Sequence, residues 1–136
     1  MIAADLPQTK QLSNRAAADL DVLRVIGFLQ LQHGRFLPAV ILFDALYSIF
    51  PSDLGIAFSL AQAHLQNGDP QSAHGVLEAI ETRSVTDPNL QGLQQDFCFC
   101  WLRSQALAGI GQSAEAARWM RLFLRLRRQS TLSVVS

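Results

Sequence analysis

Cysteine is scarce in this chain. Only Cys98 and Cys100 occur among 136 residues, and two positions apart on a helix they point to nearly opposite sides. They cannot bridge each other without breaking the helix, so two buried structural thiols are expected rather than a disulfide. A long apolar run is lacking as well. Almost half the residues are apolar, yet the apolar-rich stretch from Phe36 to Phe50 contains Pro38 and falls short of the ~20 residues that a membrane span needs. Charge of one sign is not in excess. Eleven basic side chains cancel eleven acidic ones, so the molecule as a whole has no attraction for nucleic acid or an anionic membrane. The opening segment "MIAADLPQTK" sets Asp5 and Pro7 where a signal peptide carries its apolar centre. The expected location is therefore cytoplasmic.

Catalytic constellations are thin. His33, His64 and His74 stand in no HxxxH or HExxH spacing and have no cysteine pair to complete a metal site. "GIG" at Gly109 to Gly111 follows a helical pattern and lacks the glycine and lysine of a phosphate cradle, so it reads as a helix stop. Asp44 stands alone among apolar residues, and a rim or capping role suits it. The expectation is a protein that is not an enzyme, with no cofactor and no metal.

What the sequence does contain is a repeat. "LQHGRFLPAVILF", Leu31 to Phe43, stops an apolar segment at Gly34 and restarts it with Phe36, Ala39 and Phe43. Gly68, Pro70, Ala73 and Leu77 answer 34 residues later, and Gly111, Ser113, Ala116 and Met120 follow at a spacing of 43. Seven residues before each glycine lies a small residue: Gly27, Ala61 or Ser104. Two helices joined by a tight turn approach closely only where side chains are small, and a glycine supplies the left-handed turn between them. The pattern resembles the helical hairpin of the tetratricopeptide repeat, with Pro51 at that repeat's closing position and Val85 at the matching place in the second copy.

Six helices follow, making an all-α fold: a tetratricopeptide-like α-solenoid of three hairpins. Ser13 or Asn14 can cap the first helix, which runs to about His33. The second covers about Arg35 to Ile49, and Ser52 or Asp53 opens the third, which ends near Asn67. Asp69-Pro70 and Asp87-Pro88 each pair a cap with a proline at the first helical position, so they open helices four and five. Residues 84–96 are read as a lengthened start to helix five. Ser113 opens the sixth, ending near Arg128. The corresponding division is an extension over 1–13, repeats over 14–51, 52–86 and 87–128, and a loose tail over 129–136.

The first helix of each pair is apolar nearly all round, whereas a surface helix normally carries one stripe. With Gly27, Ala61 and Ser104 at closest approach, Leu23, Ile26, Leu60 and Leu107 fall on the inward packing face. Arg24, Phe28, Leu31 and Gln32 then turn to the concave side, with Phe58, Gln62 and Leu65, then Trp101 and Gln105. That mixture of large apolar groups and amides suits a partner-binding groove for an amphipathic helix or extended segment. Left empty, such a groove favours self-association. The competing expectation is that the N-terminal segment or helix six folds over it. A second feature is "RWMRLFLRLRRQS", in which Arg118, Arg121, Arg125 and Arg128 follow helical spacing with no acid among them. A solvated terminal helix with cations near its C-terminus explains this stripe, and a face for an acidic partner or for nucleic acid are the alternatives.

"GFLQLQHGRFLPAVILFDALYSIFPSDL", Gly27 to Leu54, resembles the first repeat of the YscY-type (SctY) chaperones of bacterial type III secretion systems. The resembling features are the aromatic after Gly27, "LQLQ" before "HG", "ILFDAL" and Pro51. Weaker similarity continues to about Leu126. Chaperones for translocator proteins and for the needle subunit use the same hairpins. This chain departs in its longer N-terminal segment and in the region around 84–96. The resemblance implies a cytoplasmic chaperone that binds a small secreted partner of the YscX type. It also implies docking of the pair on the cytosolic domain of the export gate, without cofactor, nucleic acid or membrane insertion.

Overall fold

The computed structural model describes the backbone of residues 2–135 and the side chains of residues 15–130. Six α-helices follow one another: α1 (Ile2–Gln32), α2 (Phe36–Ile49), α3 (Leu54–Gln66), α4 (Pro70–Ser84), α5 (Phe97–Gly109) and α6 (Ser113–Val135). Two single 3-10 turns, Pro88–Leu90 and Leu93–Gln95, separate α4 from α5. No strand occurs among the described residues.

The three hairpin turns share one construction. Gly34, Gly68 and Gly111 adopt φ of 75°, 77° and 89°, where a side chain on an L-residue is strained. At each, the residue after the glycine donates its amide to a carbonyl five residues back: Arg35 to Gln30, Asp69 to His64, Gln112 to Leu107. The glycine amides reach Leu31, Leu65 and Ala108, so the free carbonyls at the helix ends are satisfied. The next helix starts at once. Asp69 caps α4 through the Ser72 amide and hydroxyl, and these two hydrogen bonds hold its carboxyl below the ordinary carboxylate value.

Small residues set the approach within each pair, though not in one way. In the third hairpin the Ser104 hydroxyl donates to the Ala116 carbonyl at 3.0 Å, directly joining the two small positions. In the first, the missing side chain of Gly27 is replaced by the ring of Phe43, which is wholly buried. Two cores result. Leu31, Phe43, Leu46, Ile56 and Leu60 fill the first, and Leu77, Ile80, Leu90, Leu93 and Phe99 the second. Tyr47 and Val76 pack against both. Arg83 ties the hairpins together from outside: its guanidinium stacks over Tyr47 and donates to the Tyr47 hydroxyl and the Pro51 carbonyl.

Three expectations about the elements are corrected. α1 is continuous from Ile2, so Ser13 and Asn14 lie inside it rather than at its start. The segment is helix-prone, with alanines at 16–18 and no glycine before Gly27. α6 likewise continues to Val135 instead of ending near Arg128 in a loose tail. Residues 84–96 do not lengthen α5. Asp87 caps only a single turn, Gln91 is extended, Gly92 takes φ 79°, and Asp96 starts the true helix by accepting from the Cys98 and Phe99 amides. The inserted residues serve as a plug, with Leu90 and Leu93 buried in the second core.

Candidate functional site: a hollow between successive hairpins

Of the nine residues expected to line the concave groove, four converge. Gln62 and Leu65 from α3 meet Trp101 and Gln105 from α5 around an open hollow of about 330 Å³. The helices present these side chains because 62, 65 and 66 share one face of α3, as 101, 105 and 109 do on α5. Gln66, Pro70 and Gly109 complete the lining. Gln66 holds the register position in α3 that Gln32 holds in α1, so the repeat itself carried the signal. A Cβ on Gly109 would stand 2.5 Å from Pro70 Cβ; its absence lets the end of α5 lie close to the start of α4. All seven lining residues belong to α3, α4 and α5, so α6 does not fold over the hollow. The N-terminal segment lies in α1, and the side chains of residues 1–14 are outside the described set.

The other five candidates separate. Leu31 is only 9% exposed and belongs to the first core, contrary to its expected place in the groove. The reason is stacking: the side of α1 that faces the next hairpin is covered by Ile56, Leu60 and Ala63 of α3. Phe58 is half-buried at the equivalent seam, its ring 6.3 Å from that of Phe99. Arg24 reaches the N-terminus of α3, where its guanidinium lies over Gly55 and 3.8 Å from the Asp53 carboxylate. Phe28 remains 47% exposed, with its ring edge-on to Phe43, and Gln32 is exposed. Ile26, expected to pack inward with Leu23, is exposed instead; it belongs with Val22, Val25 and Leu29 to a second apolar stripe on α1. The i, i+3, i+4, i+7 spacing of those four was present in the sequence, masked by the first stripe running beside it.

The two cysteines differ in their surroundings. Cys98 is exposed and Cys100 buried, so the expectation of two buried thiols holds for Cys100 alone. Desolvation and then the neighbouring Asp96 carboxylate raise both thiols, Cys100 to about 11. Titration with an aromatic disulfide reagent at neutral pH should give one slow thiol in the folded protein and two after denaturation. Two fast native thiols would contradict this arrangement. His74 pairs with Glu78 at 3.0 Å. Among the described residues no three His, Cys, Asp or Glu side chains are grouped to hold a metal ion, and no helix is long and apolar enough to cross a membrane.

Stacked hairpins with repeated glycine turns, a common small-residue register and a hollow between their first helices define an all-α helical-repeat protein. The tetratricopeptide repeat family model matches residues 30–97, half of the chain. The chain belongs to that family, whose architecture serves protein–protein interaction through surfaces formed by successive repeats. No curated protein and no solved structure matches it.

Proposed function

We propose that this protein is a chaperone that holds a segment of a protein partner across the hollow between α3 and α5. The observation that carries this reading is the convergence of Gln62, Leu65, Trp101 and Gln105 from two successive hairpins. Paired amides beside half-buried apolar groups suit a polypeptide, whose backbone needs hydrogen-bond partners where its side chains bury apolar area. The resemblance of Gly27 to Leu54 to the YscY-type chaperones supports a more specific assignment. The partner is then a small secreted protein of the YscX type, held in the bacterial cytoplasm and presented to the cytosolic domain of the type III export gate.

With Leu31 and most of Phe58 engaged in the fold, affinity in the hollow rests on Leu65 and Trp101. Full burial of such side chains contributes ~1.5–3 kcal/mol each, and these begin partly covered, so each adds less. The test is co-expression with a small secreted protein of the YscX type, followed by size-exclusion chromatography. Leu65→Asp and the double change Gln62→Lys/Gln105→Lys should remove the partner from the shared peak while leaving helicity intact. Phe58→Asp is a poorer probe, because its ring lies against Phe99 and its loss disturbs the seam itself. Undiminished co-elution and affinity in both recommended variants would refute the assignment.

A further inference from the structure

A second recess lies on the opposite side of α5. Two residues along a helix turn the chain through about 200°, so Arg103 points away from the side that carries Trp101 and Gln105. It floors an open cleft of about 720 Å³ whose walls carry Arg118, Arg121 and Arg125 from α6, with Glu81 and Glu115. Four guanidiniums thus face two carboxylates, in a molecule whose total charge is zero.

The arginines are poorly matched inside the fold. Arg103 has an 11% exposed side chain, stacks over Trp119 at 5.8 Å, and sets Nη2 3.4 Å from Glu81 Oε2. Its Nε and Nη1 are buried without a hydrogen-bond acceptor. Arg118, Arg121 and Arg125 are exposed and make no ion pair among the described residues. At spacings of three and four on one helix face they repel one another. The cleft therefore holds donors and positive charge in excess of what the protein itself uses, and leaving guanidinium donors unmatched is unfavourable.

We infer that this cleft binds an acidic segment of a partner protein, with carboxylates against Arg118, Arg121 and Arg125 and apolar side chains against Leu122 and Trp119, which also line it. Guanidinium pairs with carboxylate in a bidentate, charge-assisted geometry. Leu122 and Trp119 give the aliphatic side chains of a mixed acidic–apolar peptide a surface to bury, and a sugar–phosphate backbone carries no such side chains. This surface is separate from the hollow between α3 and α5 and does not depend on its assignment.

The test uses the whole chain and fluorescence anisotropy. The probes are a labelled peptide of repeated Glu-Glu-Leu triplets, its Gln-Gln-Leu counterpart and a single-stranded oligothymidine. The wild-type protein should bind the glutamate peptide, more weakly as salt rises, and neither other probe. Arg118→Glu/Arg121→Glu should weaken that binding by about tenfold or more, the loss expected for charge-assisted hydrogen bonds, with unchanged helicity. Arg35→Glu, at the start of α2, should leave it as it is. The inference is overturned if the wild type fails to bind the glutamate peptide or binds the glutamine peptide equally well. Tighter binding of oligothymidine, or an equal loss in Arg35→Glu, overturns it too.

Discussion

Phe99→Ala should lower the unfolding free energy by about 3–5 kcal/mol, the usual cost of removing a fully buried aromatic ring without collapse of the site. Phe99 has no exposed surface. Its ring stands 6.3 Å from Phe58 of α3 and 5.6 Å, edge-on, from Trp119 of α6, so a single side chain joins three helices. Truncation leaves a void at the meeting point of the second and third hairpins, and the loss exceeds that of one apolar group because two aromatic pairs go with it. In a stacked array each hairpin is held chiefly by its neighbours. The damage should therefore concentrate in α5 and α6, seen as early hydrogen exchange there while α1 and α2 stay protected. Equilibrium unfolding in urea should show the midpoint falling. A change under ~1 kcal/mol, the range of tolerated swaps, would mean that the second core is not organised around this ring.

Gly27 makes the opposite test, by adding atoms. A helix-interior glycine normally gains about 1 kcal/mol on replacement by alanine. Here the added Cβ would lie 2.4 Å from Phe43 Cζ and 2.8 Å from Cε2. Phe43 is wholly buried, and in a close-packed interior its ring moves only by displacing neighbours, so overpacking, typically about 1–3 kcal/mol, outweighs the propensity gain. Gly27→Val adds two further methyl groups at the same contact and a poorer helix former, and should cost about 3 kcal/mol or more. Combining Gly27→Ala with Phe43→Leu removes the ring atoms in the way and should recover part of the loss, a coupling that a double-mutant cycle measures. Thermal unfolding decides the matter: a Gly27→Ala protein more stable than the wild type would show that α1 and α2 do not depend on this contact.

Gly27 marks how far a linear pattern reaches into the packing. The small residue seven before each turn glycine was visible, and Ala61, Ser104, Ala39, Ala73 and Ala116 are all buried as that register requires. That Gly27 receives Phe43, while Ser104 hydrogen-bonds to Ala116, was not visible, since identical spacing permits either filling. Asp87-Pro88 carries the same signal as Asp69-Pro70, yet one opens a single turn and the other a helix of 15 residues. The difference lies in Gly92, which turns the chain so that Leu90 and Leu93 can reach the core. Leu31 and Phe58 have the periodicity of groove residues, and only the neighbouring hairpin takes them out of it.

Local and periodic information thus sufficed for the repeat. Left-handed glycines, caps, small residues at closest approach and apolar spacing act over a few residues, and together they specify three helical hairpins and the family. The division of each apolar face between seam and open surface was decided by stacking, because a side chain's burial depends on what lies beyond its own hairpin. The same holds for Arg103 meeting α6 across from Trp101, and for Gln62 facing Gln105 across 43 residues of chain. Such contacts arise from how one hairpin is set on the next, which a one-dimensional spacing does not encode.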